Sequence, residues 1–205
     1  MNGTTAYVTP VRPGRVRIAR GLVALAVVSL AQGIAQAAEA FELLAVESTR
    51  DGPAYELRIE ARFNAAPERV LAVLTDYDRI HELHPRMVES RALGRVGPAT
   101  EEVQTRLEGC VLFLCRTLYR VEHIRVEGLS LHAEDVPRRG SFSEGRTKWS
   151  LTPISGGTLL IYEARFVPAF WVAPVIGPGA LVRSVEQMTV EIMAEVERRA
   201  LRRNE

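Results

Sequence analysis

From Leu181 to Leu201 the apolar residues Leu181, Val185, Met188, Ile192 and Val196 recur every three to four positions, with Arg183, Glu186, Glu191, Glu195, Arg198 and Arg199 elsewhere. This spacing writes one apolar stripe along a helix of about five turns, and such a stripe must be buried. No second long helix precedes it, so its burial partner has to be a sheet. No other feature of the chain constrains the fold as much.

The sheet is visible upstream. Tyr55, Leu57, Ile59, Ala61 and Phe63 alternate with Glu56, Arg58, Glu60 and Arg62, the pattern of a half-buried strand. Pro67 then falls in the first turn of a short helix bearing Val70, Leu71, Val73 and Leu74, and a second short helix is expected over residues 80–84, before Pro85. Further strands are expected over residues 87–93, 101–114, 116–127, 130–136, 146–153 and 158–167, divided by turn signals such as Ser155-Gly156-Gly157. No helical period interrupts them, which favours antiparallel pairing. The expected fold is therefore α+β: a strongly curved antiparallel sheet of about seven strands around a long C-terminal helix, with two short helices after the first strand.

The N-terminus reads differently. Arg12, Arg15, Arg17 and Arg20, without an acidic residue, lead into the apolar run Gly21 to Ala31, and Ala35-Gln36-Ala37 is a small-x-small site. Residues 1–38 are expected to be a secretory signal cleaved after Ala37 or Ala38, leaving residues 39–205 as one exported, periplasmic domain. The alternative is an uncleaved anchor, which Gln32, Gly33 and Gln36 disfavour. Losing four of the 26 basic and none of the 25 acidic residues leaves 22 against 25, a net −3. A mildly acidic domain without a basic cluster is a poor nucleic-acid binder.

The segment Arg62-Phe-Asn-Ala-Ala-Pro-Glu-Arg-Val-Leu-Ala-Val-Leu-Thr-Asp-Tyr-Asp-Arg79, followed by His84-Pro85 and Met87-Val-Glu-Ser-Arg91, resembles the START-like helix-grip proteins. The likeness is to their polyketide cyclase/dehydrase and coenzyme-Q-binding branch, and it covers roughly residues 42–203. The resemblance implies a cavity between sheet and terminal helix that holds a hydrophobic small molecule of lipid, quinone or isoprenoid type. It equally admits a cyclase or dehydratase acting on a hydrophobic substrate, and a third reading is a membrane- or partner-docking module with no small ligand. It calls for no cofactor, and no catalytic residue is assigned.

Within that frame the pocket candidates are Phe113, Tyr119, Trp149, Tyr162, Phe166, Phe170, Trp171, Ile176, Val185, Met188 and Ile192, apolar walls with a few polar tips. On the last strand Leu160, Tyr162, Ala164 and Phe166 share a face opposite Glu163 and Arg165. Over residues 116–127 the inward phase is ambiguous, because Leu118, Ile124 and Val126 oppose Tyr119 and Val121. Tyr119, His123 and Tyr162 are the groups an enzymatic reading would use. The uncharged stretch Phe170 to Pro178, with Trp171 in it, reads as a lid, a transient membrane contact or a buried plug. His81 and His84 share a helical face near Glu82, but no third ligand is spaced to complete a zinc site, so no metal is expected. Cys110 and Cys115 would lie ~16 Å apart and on opposite faces of one regular strand, so a bridge requires the intervening Val-Leu-Phe-Leu to turn back on itself. Bridged and free forms both remain open.

Overall fold

The computed structural model describes residues 41–111, 114–172 and 177–202, with side chains for all of these except 110, 111, 114 and 177. The export signal expected over residues 1–38 and the pocket candidates Phe113 and Ile176 lie outside the described residues.

The chain begins with β1 (Glu42–Asp51), which turns at Gly52, with φ of +56°, into β2 (Ala54–Phe63). Next come α1 (Pro67–Leu74) and a 3-10 helix, Tyr77–Leu83. The strands β3 (Met87–Gly97), β4 (Thr100–Val111), β5 (Leu114–Glu127), β6 (Ser130–Asp135), β7 (Phe142–Ile154) and β8 (Gly157–Pro168) follow, and α2 (Gly177–Arg202) closes the order. The strands form one curved antiparallel sheet in the order β1-β2-β8-β7-β6-β5-β4-β3, and α2 packs on it. This is the expected helix-grip arrangement with eight strands instead of about seven.

The additional strand is β1. Leu43, Leu44 and Val46 are exposed, and the register with β2 shifts between Leu43 and Ala45, so Leu44 sits in a bulge. An edge strand interrupted by a bulge has no reason to alternate. The second short helix also starts earlier than expected, at Tyr77, and is 3-10 throughout, with His84 already extended.

The alternation of β2 becomes burial in the folded chain, with Ile59, Ala61 and Phe63 wholly inside. Val70, Val73 and Leu74 of α1 meet the same core as Met193, Val196 and Ala200 of α2. Only the second half of α2 is used this way. Its first half faces a cavity.

β4 and β5 form a hairpin whose register places Val111 opposite Leu114 and Cys110 opposite Cys115. The segment that would separate the cysteines as one strand folds back instead. Cys115 is disulfide-bonded, and Cys110 is the chain's only other cysteine.

Candidate functional site

Between α2 and the inner face of β4 to β8 lies a cavity of about 220 Å³. Ile80 and Leu83 of the 3-10 helix close one side, and Leu181, Val185, Met188 and Ile192 supply the helical wall. These last are the first four residues of the stripe that the sequence required to be buried. They line a space instead of filling it, because side chains on the facing strands stop short of the helix.

The sheet wall is aromatic. Trp149 and Tyr162, opposed across β7 and β8, pack edge to face with ring centres 4.6 Å apart. Phe166 stacks on Tyr55 at 5.4 Å, and Phe142 packs edge-on against both Phe166 and Phe170. Such pairs hold rings in fixed orientations, so the wall is preformed.

Set into that wall is a polar cluster. Alternation along β5 turns Leu118, Arg120, Glu122 and Ile124 into the cavity. Arg120 reaches Glu122 Oε1 at 2.9 Å, and its Nε donates to Asp135 Oδ1, also at 2.9 Å. Glu122 and Asp135 are directly opposed across β5 and β6, so two carboxylates share one guanidinium. Burial raises the Glu122 carboxyl above its usual range; Arg120 opposes that shift and Asp135 adds to it. Burial works against the charge of Arg120, yet the two carboxylates outweigh it and raise its pKa. The Tyr162 phenol is likewise raised by burial, with Arg120, Thr189 and Thr147 opposing. Gly145 of β7 is what admits the cluster: a Cβ there would overlap the Asp135 carboxylate and lie 3.1 Å from Arg120 Nη2. Such a group can donate or accept hydrogen bonds inside an apolar chamber.

The cavity's frame is pinned from α2. His84 Nδ1 accepts the Arg86 N–H at 3.0 Å, which leaves the proton on Nε2, 2.7 Å from Glu191. The His81 ring meets Ser90 Oγ at 3.0 Å. Both histidines are thus engaged in structural bonds, and no group of three metal-ligating side chains occurs among the described residues. Glu197, fully buried, accepts the Asn64 N–H at 2.6 Å and the Ala65 N–H at 3.3 Å, fixing the loop that enters α1.

Seven sequence candidates therefore line the cavity: Trp149, Tyr162, Phe166, Phe170, Val185, Met188 and Ile192. Tyr119 does not; it is 46% exposed, and with His123 it occupies the face of β5 opposite Arg120 and Glu122. His123 instead meets Glu102 at 3.2 Å, which Arg139 also engages. Trp171 is 76% exposed and lies off the wall, next to Phe170, which is on it. The residues that sequence reasoning missed are Arg120, Glu122 and Asp135. The signal available was the placement of Arg120 and Glu122 in phase with Leu118 and Ile124.

A model of the family described as polyketide cyclase/dehydrase and lipid transport matches residues 55–203. No curated protein matches the chain in sequence. Among solved structures, the Zhui aromatase/cyclase from Streptomyces sp. R1128 is similar at 15% identity with a TM-score of 0.61, over 74% of this chain and 96% of that one. The STAR-related lipid transfer protein from Xanthomonas axonopodis is similar at 16% identity with a TM-score of 0.57, over 77% and 99%. A START superfamily protein from Mycobacterium smegmatis gives 12% identity and 0.55, over 70% and 97%. At these identities the likeness is one of fold.

Proposed function

Because the chain belongs to the polyketide cyclase/dehydrase and lipid transport family, we propose that it binds or carries a hydrophobic small molecule of lipid, quinone or isoprenoid type, outside the cytoplasm. The observation that carries this reading is the cavity of about 220 Å³, with aromatic and aliphatic side chains on its sheet side and aliphatic ones on its helix side. Apolar walls around a few fixed polar groups are the usual construction of a small-molecule site. Solvent extraction of the purified protein followed by mass spectrometry tests it. A reproducible hydrophobic compound is expected. A protein that is empty and also takes up neither lipids nor quinones would overturn the reading.

Export is supported by the Arg-rich and then apolar residues 1–38 and by the disulfide at Cys115, a bond that oxidising compartments preserve. Transient contact with a bilayer is supported by Trp171, the most exposed large apolar side chain described, adjoining the cavity-lining Phe170. Wild-type protein should float with liposomes and Trp171→Asp should not; equal flotation of the two would remove this contact from the proposal.

A cyclase or dehydratase reading keeps one specific support, Tyr162 and Glu122 both set in the cavity wall. If they act as acid or base, substituting either abolishes turnover while ligand uptake persists.

A further inference from the structure

The guanidinium that reaches into the cavity, that of Arg120, is already held by two carboxylates. Arg120 has Glu122 and Asp135, both at 2.9 Å. Lipid-binding chambers that take fatty acids or phosphates need a cation with hydrogen bonds to spare, since an anion moved out of water must find its charge compensated. Here the compensation is spent inside the protein. At Arg120 it is overspent, because Glu122 and Asp135 face each other across β5 and β6 with one guanidinium between them.

Resting on the hydrophobic-ligand reading above, we propose that this cavity selects ligands whose polar end is an uncharged hydroxyl or carbonyl, met at Glu122 and Tyr162, and discriminates against anionic lipids. A carboxylate or phosphate entering beside Arg120 would be the third anion on one guanidinium. Like charges brought together in a poorly solvated site repel by several kcal/mol. A hydroxyl meets no such opposition: the Glu122 carboxyl can accept its proton, or, when protonated, donate to a carbonyl oxygen. Oε1 of Glu122 is turned to Arg120, 2.9 Å away. The apolar walls accept the remainder of the molecule without regard to its head.

The test is a chain-matched series, 1-decanol, 2-undecanone, decanoate and decylamine, titrated calorimetrically into the lipid-stripped processed protein at about pH 8, where decanoate is ionised. Decanol and undecanone are expected to bind at least about ten-fold more tightly than decanoate. Decanoate binding equally well or better would overturn the head-group selection while leaving the cavity reading intact, and so would decylamine binding better than decanol. Binding of none would overturn both. Two variants probe the cause. Glu122→Gln and Asp135→Asn each remove one of the two carboxylate charges from Arg120. Each should raise decanoate affinity relative to decanol. The second keeps the test decisive if the first fails to fold, as judged by circular dichroism, and an unchanged ratio in a folded variant counts against the proposal.

Discussion

Glu197 is a charge-bearing residue at the centre of an apolar helix face, and its two bonds explain its presence. Its oxygens take the N–H groups of Asn64 and Ala65, which precede α1 and have no helical partner. Burial nonetheless raises its pKa above the usual carboxylate range, with those N–H bonds opposing. Glu197→Gln leaves one acceptor where there were two and points an amide N–H at a backbone N–H, so a loss of about 1–3 kcal/mol is expected in urea unfolding. A loss near zero would mean that water replaces the bond. The same residue type shows why part of the site was not legible. Tyr162 and Phe166 could be read because their strand alternates apolar against charged. Arg120 and Glu122 fall in phase with Leu118 and Ile124, but Tyr119 and Val121 support the opposite phase as well, and only the partners found in three dimensions, Asp135 for Arg120 and the α1 entry for Glu197, identify the buried charges.

Among the elements, α2 is held at three points along the 3-10 helix and its exit: His84 to Glu191, Arg199 to Glu82, and Arg86 to Ser184. Hydrogen bonds from Arg79 and Arg199 lower the Glu82 pKa to about 2. Hydrogen bonds from Gln187 and then His84 lower that of Glu191. A carboxylate depressed in the folded state contributes stability that is fully present above its unfolded value, about 4.3, and lost as pH falls toward the folded one. The melting temperature should therefore drop between about pH 4.3 and pH 2, and Glu82→Gln should flatten that limb while leaving the other depressed carboxylates to act; an unchanged acid limb would show that this latch contributes nothing. The β4–β5 hairpin carries the other element-scale expectation. A bridge between Cys110 and Cys115 closes only six residues, for which chain entropy gives about 2 kcal/mol. Dithiothreitol should lower the melting temperature by a few degrees without dissolving the sheet, and Cys115→Ala should reproduce the shift and be insensitive to the reagent. The hairpin was hidden in the sequence because Val-Leu-Phe-Leu contains none of the Gly, Asn or Pro that mark turns, and β1 was hidden because its bulge and exposure erase the alternation.

At the scale of the molecule, the stripe on α2 did define the fold: a helix that long can bury its face only against a broad curved sheet. Its first part then faces a chamber whose strand wall sets aromatic rings and a polar cluster among aliphatic side chains. The proposed export has to be compatible with that fold, and Phe41 sets the limit. Its ring packs on Phe63 with centres 5.4 Å apart, and β1 begins at the next residue, so cleavage must fall before it. Ala37 and Ala38 satisfy this, leaving the Phe41 contact and the whole of β1 in the processed chain. No helix among the described residues is long and apolar enough to cross a membrane. Expressed with its own N-terminus in a Gram-negative host, the protein should appear in the periplasmic fraction with an intact mass that starts at Ala38 or Glu39. A membrane-bound product retaining Arg12 to Arg20 would replace the travelling carrier with an anchored one, and a cut beyond Phe41 should give a product of lowered melting temperature because β2 loses its ring contact.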